Sequence, residues 1–174
     1  EGIVTYPDGA VYEGGVMDGV AHGEGRIEYA DGSSYAGGWE EGVIHGAGRA
    51  VYADGTVYEG GFVEGRPGGT GRMTAPDGYR YEGEWRAGER HGEGTVTYPD
   101  GTVYAGGWQA GVRSGQGRLE TPEGFVYEGG WRDGKMHGEG VATYVSGDVY
   151  TGAFAEGRPE GAGTMVYATG EEVT

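Results

Sequence analysis

Four histidines, His22, His45, His91 and His137, recur at separations of 23 or 46 residues. Around one of them, in the stretch YEGEWRAGERHGEGTVTYPDG (residues 81–101), Trp85, His91 and Glu93 lie close together in sequence. An imidazole beside a carboxylate suggests general base chemistry, and imidazoles at fixed spacing suggest a metal centre. The recurrence argues against both. A catalytic constellation occurs once, whereas these residue types return copy after copy. Equivalent atoms of adjacent two-strand units should lie about 10 Å apart, while two ligands of one zinc, each at ~2.0–2.1 Å, must lie within about 4 Å of one another. No metal site is predicted, and the histidines read as bend residues bonded to backbone. Glycine patterns such as Gly92-Glu93-Gly94 precede no helix, and no Gly-Lys-Ser/Thr occurs, so no phosphate loop is expected. The four serines belong to no nucleophile, base and oxyanion set; no catalytic residue and no cofactor are predicted.

What must position these residues is a thin architecture. With 43 glycines and 36% hydrophobic residues in 174, the chain cannot fill a thick central core. Its apolar surface is dominated by 14 Tyr and 4 Trp, which favour strands and carry polar tips. A formal charge of −16, with a single lysine at Lys135, weighs against nucleic acid and against anionic bilayers. No cysteine is present, which leaves the compartment open. No apolar run approaches the roughly 20 residues that span a bilayer, and no signal-peptide core is visible.

Tyr12, Tyr35, Tyr58, Tyr81, Tyr104, Tyr127 and Tyr150 fall 23 residues apart without insertion or deletion. Two residues after each comes Gly, and four after comes Val16, Trp39, Phe62, Trp85, Trp108, Trp131 or Phe154. This period-2 spacing puts Tyr, Gly and the following ring on one face of a strand, with residues such as Glu82 and Glu84 on the other. A second strand alternates likewise, with Val96 and Tyr98 on one face. The Y-P-D-G form at Tyr6–Gly9 and Tyr98–Gly101 predicts a tight turn, and the other link, such as Arg86–Gly92, is expected to be longer. The expected fold is all-β: an elongated, single-layer, twisted antiparallel meander of hairpins with about fourteen strands. As one array it comprises a partial repeat (1–9), seven full repeats (10–170) and the start of another (171–174). The mid-repeat start at Glu1 suggests a segment of a longer array, or one whose end strands are covered by other elements, because a bare edge strand invites pairing with another chain.

The unit Y-E-G-x-W-x-x-G-x-x-H-G-x-G followed by Y-x-D-G, fullest from Tyr81 to Gly101, resembles the MORN repeat (membrane occupation and recognition nexus). The resemblance implies a half-pipe of consecutive hairpins used for scaffolding, peptide binding or dimerisation, with lipid binding proposed for some members. This chain departs from the lysine-rich loops and Asn-Gly turns of many such arrays, which argues against phosphoinositide binding. Its arginine bias and absent asparagine would suit a GC-rich, bacterial coding sequence.

The expected function is a non-enzymatic scaffold that captures a peptide or helix, or its own dimer mate, in an aromatic groove. Its expected lining is Tyr35, Trp39, Tyr58, Phe62, Tyr81, Trp85, Tyr104, Trp108, Tyr127 and Trp131, with Ala75 and Thr121 opening gaps where the second tyrosine is missing. The alternatives are a peripheral lipid-binding module and an accessory region of a larger enzyme.

Overall fold

The computed structural model describes residues 1–174, all in strands, turns and short connections. No helix in it is long and apolar enough to cross a membrane. Two compact units divide it, Glu1–Glu89 and Arg90–Thr174. In the first, β1 (Gly2–Thr5), β2 (Val11–Met17), β3 (Val20–Glu28) and β4 (Ser34–Glu40) are followed by β5 (Val43–Val51), β6 (Val57–Val63), β7 (Arg66–Thr74) and β8 (Arg80–Arg86). In the second, β9 (Glu89–Thr97), β10 (Val103–Gln109), β11 (Val112–Glu120) and β12 (Val126–Arg132) lead to β13 (Lys135–Thr143), β14 (Val149–Ala155), β15 (Arg158–Val166) and β16 (Glu172–Val173). Strand order within each unit is sequence order, and the pairs are antiparallel. The sixteen strands exceed the expected fourteen because the partial repeats at both ends also pair, β1 on β2 and β16 on β15.

The turn at Tyr98–Gly101 has the expected form. Gly101 N–H donates to the Tyr98 carbonyl (2.9 Å), Tyr98 N–H donates to the Thr102 carbonyl (2.8 Å), and Gly101 takes φ 91°. Asp100 Oδ1 accepts from Thr102 N–H at 2.8 Å, so the turn's own acid locks it.

The other link is the shorter one, opposite to expectation. In every copy it is a two-residue turn: Asp18-Gly19, Glu41-Gly42, Glu64-Gly65, Ala87-Gly88, Ala110-Gly111, Asp133-Gly134 and Glu156-Gly157. The first residue has φ of 48–51° and the second 77–82°, both left-handed, as a type I′ hairpin requires. What looked like loop is strand carrying a bulge. Between Gly14↔Gly25 and Val16↔Ala21, two steps on β2 face four on β3. The extra residues include His22 and Gly23, the latter at φ 80°. The His-Gly pair of the repeat therefore marks a bulge inside a hairpin.

The core is one face of the sheet packed on itself. Each first-strand tyrosine lies across a glycine of the neighbouring strand: a Cβ on Gly71 would stand 2.1 Å from the Tyr58 hydroxyl oxygen. The ring that follows four residues later wedges between two such tyrosines. Trp39 meets Tyr12 at 5.0 Å and Tyr35 at 5.6 Å between centroids, edge to face, and Phe62 meets Tyr35 and Tyr58 at 5.0 Å each. In the second unit Trp131 stands likewise between Tyr104 and Tyr127. Quadrupole attraction favours this geometry, so the rings interlock without a second layer.

Candidate functional site

Each buried polar tip on this face has a partner. The Tyr58 hydroxyl donates to the Gly61 carbonyl (2.9 Å), and all seven tyrosines repeat that bond to the residue three further on. Trp39 Nε1 donates to the Gly25 carbonyl of the preceding repeat (3.2 Å), as Trp85 does to Gly71, Trp108 to Gly94 and Trp131 to Gly117. Burial pushes the Tyr35, Tyr58 and Tyr104 hydroxyls up to about 12.

These residues are the ones expected to line a groove. Tyr35, Trp39, Tyr58, Phe62, Tyr81, Trp85, Tyr104, Trp108, Tyr127 and Trp131 are all buried, with no more than 7% of their surface exposed. Their area is covered by one another and by glycine backbone. A partner would meet them as a floor. The expected gaps at Ala75 and Thr121 are compensated across the turn. Tyr79 and Phe125 stand opposite them, tied by Ala75 N–H to the Tyr79 carbonyl and Thr121 N–H to the Phe125 carbonyl, and Phe125 packs on Tyr144 at 5.7 Å. Both residues are half-buried and sit immediately before β8 and β12, on the far side of the turn from Ala75 and Thr121.

The accessible aromatic surface of the first unit is a different row, absent from the expected lining, and Tyr167 holds the same repeat offset in the second unit at 40% exposure. Tyr6, Tyr29 and Tyr52 close β1, β3 and β5 on the same face as the buried tyrosines, yet remain 36–38% exposed. No G-x-G stands across from them, and that is the sequence signal separating the two rows. Beside each sits the turn acid: Asp8, Asp31 and Asp54 are exposed and cap their own turns through Oδ1. In the second unit Tyr98 accepts from Arg113 Nη2 at 2.6 Å, and the guanidinium carbon lies 5.0–5.2 Å from the Tyr98, Tyr104 and Trp131 rings.

The opposite face differs in chemistry. Across the first unit Glu13, Arg26, Ala36, Arg49, Glu59, Arg72 and Glu82 pair in one row. Glu59 bonds Arg49 Nε at 2.9 Å and Arg72 Nη2 at 3.4 Å, which holds its carboxyl below the usual range. In the second unit the corresponding row is Ala105, Arg118, Glu128, Val141, Thr151 and Thr164. The histidines lie at the bulges: His22 Nδ1 accepts from Glu41 N–H at 3.4 Å, and His45 Nε2 lies 3.6 Å from Glu40. No group of three His, Asp or Glu side chains converges as metal ligands would.

Solved structures with similar folds include the TCP10 domain of Danio rerio CPAP in complex with a peptide of STIL, at 14% identity, TM-score 0.56, and coverage of 98% of this chain and 75% of that one. The CPAP G-box domain is similar at 16% identity and TM-score 0.52, over 98% of this chain and 95% of that one. The SAS-4 TCP domain of Drosophila melanogaster, in complex with a proline-rich motif of Ana2, gives 13% identity and TM-score 0.50 over 87% and 83%. No curated protein matches the chain. The MORN repeat model matches residues 12–34, 35–57, 58–78, 81–103, 104–125, 127–149 and 150–172, and the chain belongs to the MORN-repeat family.

Proposed function

We propose that this chain is a non-enzymatic scaffold that binds a segment of a partner protein on its aromatic face. The observation that carries the reading is the row of partly exposed tyrosines on the same face as the interlocked, buried rings. Exposed rings on a pre-formed surface offer contact area at low entropic cost, which is where binding energy concentrates. Ala75, Thr121 and the edges of Trp39, Trp85, Trp108 and Trp131 would complete the floor under the bound segment. Peptide complexes among proteins of similar fold support this reading.

Selection of a random displayed peptide library on the immobilised chain tests it. Enrichment of peptides that bind the native protein and are lost on a Tyr29→Ser/Tyr52→Ser variant is the expected result. Enrichment insensitive to that variant, or no enrichment, would sink it. Because both tyrosines are partly exposed, their removal should leave the far-ultraviolet spectrum unchanged.

A further inference from the structure

Tyr6, Tyr29 and Tyr52 recur every second strand along β1–β5, and strands are spaced about 4.8 Å apart, so successive rings stand ~9.6 Å apart. A bound segment that uses one contact residue per repeat must advance by that distance and return the same face each time. An extended strand covers ~9.9 Å in three residues, but its side chains alternate, so the third residue on points away. A helix returns nearly the same face only every seven residues, ~10.5 Å, which overshoots the row by ~0.9 Å per step and ~1.8 Å over two. A polyproline II helix advances ~9.3 Å per turn of three residues and presents the same face at each turn. Over two steps it drifts only about 0.6 Å from the tyrosine row, less than a methyl radius.

Charge selects the rest of the occupant. Each tyrosine of the row has one turn acid two residues on, Asp8, Asp31 or Asp54. Each uses Oδ1 for its own turn, Asp8 for Ala10 N–H at 3.0 Å, Asp31 for Ser33 N–H at 2.8 Å and Asp54 for Thr56 N–H at 2.8 Å. That bond fixes where the second oxygen stands. Asp8, Tyr29, Ala30, Asp31 and Ser33 line a surface depression of about 360 Å³, with a ring and two carboxylates around one space. Such a site suits a guanidinium or ammonium group, which is attracted by the carboxylates and by the ring face.

Resting on the reading above, we infer that the segment held by Tyr6, Tyr29 and Tyr52 is a basic polyproline II stretch. It places a proline on each ring at every third residue and an Arg or Lys between prolines toward Asp8, Asp31 and Asp54. Prolines on aromatic ridges lose little entropy because the free segment already has the bound conformation. The row ends at Ala75, so three prolines are the longest uninterrupted match.

Calorimetric titration with a synthetic peptide of three Pro-Ala-Arg units tests the inference against two controls: a shuffled peptide of identical composition without the three-residue period, and three Pro-Ala-Glu units. The periodic basic peptide should bind, and both controls should bind at least about tenfold more weakly. Asp31→Asn, which keeps the Oδ1 acceptor of the turn and removes only the charge, should weaken binding severalfold and flatten its dependence on salt. Tyr29→Ala should cost about tenfold or more. Equal binding of the shuffled or acidic peptide, or no binding of the basic one, overturns the inference. Peptides enriched from the displayed library that need Tyr29 and Tyr52 but lack the proline period would overturn it too, while leaving the scaffold reading standing. Failure of the library to enrich anything removes both.

Discussion

Tyr58 is held along its ring and at its tip: the ring covers Gly71, and the hydroxyl donates to the Gly61 carbonyl. The two restraints differ in cost when lost. Tyr58→Phe removes one net hydrogen bond and leaves the Gly61 carbonyl a poorer partner, worth about 1 kcal/mol. Gly71→Ala places a methyl against the ring and hydroxyl at 2.1–2.6 Å, and the ring cannot retreat because Phe62 and Trp85 flank it at 5.0 and 5.2 Å. Overpacking of that kind costs about 1–3 kcal/mol, so urea midpoints should fall further for Gly71→Ala than for Tyr58→Phe. The hydroxyls also set an alkaline limit. Tyr35, Tyr58 and Tyr104 are raised from 10.0 to about 12 by burial, so the folded state favours their protonated form. A raised native value means stability fully present below about pH 10 and lost as pH rises toward 12. A pH titration followed by tyrosinate absorbance should show a cooperative late step, coinciding with unfolding, in which Tyr35, Tyr58 and Tyr104 ionise. Early, non-cooperative ionisation of these three would contradict the burial of the ladder.

At the scale of the hairpin, strain and wedge residues divide the stability. Ala110 sits at φ 48° at the first position of a type I′ turn, a conformation that costs an L-residue about 1–2 kcal/mol and that Asn tolerates better. Ala110→Asn should therefore raise the thermal midpoint by a few degrees, in line with about 0.5–1 kcal/mol, as read by calorimetry. Trp39 is a wedge with one polar anchor. Trp39→Phe keeps the wedge, as Phe62 shows naturally, and forfeits the bond to the Gly25 carbonyl, about 1 kcal/mol. Trp39→Ala removes the wedge and should cost about 3–5 kcal/mol. The 23-residue period and the alternation made the strands and the faces readable from residues alone. The short link was not readable, because only Asp18-Gly19 and Asp133-Gly134 carry a familiar hairpin-turn pair, and the bulge at His22-Gly23 interrupts the alternation just beyond it. The division of the aromatic face into a buried and an accessible row was hidden for another reason. Tyr6 and Tyr12 share a face, and only the glycine across the strand, Gly25 under Tyr12, decides which ring sinks.

Across the whole molecule, a face packed on itself makes stability a sum over neighbours. Trp39 touches Tyr12 and Tyr35 and bonds the Gly25 carbonyl, so its interactions join β2, β3 and β4. The turn that follows adds a backbone tie of the same reach, Gly42 N–H to the Ala21 carbonyl at 2.8 Å, and each later repeat renews it, as with Gly134 to Arg113 and Gly157 to Met136. Every such tie spans one repeat and no more. A globular core would transmit the loss of a tryptophan to all its strands, whereas a linear array should lose order near the vacancy and keep it elsewhere. Native-state hydrogen exchange on Trp39→Ala discriminates the two. Amides of β2–β5 should lose protection by a factor of 100 or more, corresponding to about 3 kcal/mol, while those of β12–β15 should exchange as in the parent chain. The Tyr104, Trp131, Tyr127, Phe154 and Tyr150 ladder in the second unit supplies the retained protection, since each of its rings packs on a neighbour within that unit. Uniform loss across both sets of strands would mean that the units fold as one cooperative body, and that nearest-neighbour packing is the wrong description of this sheet.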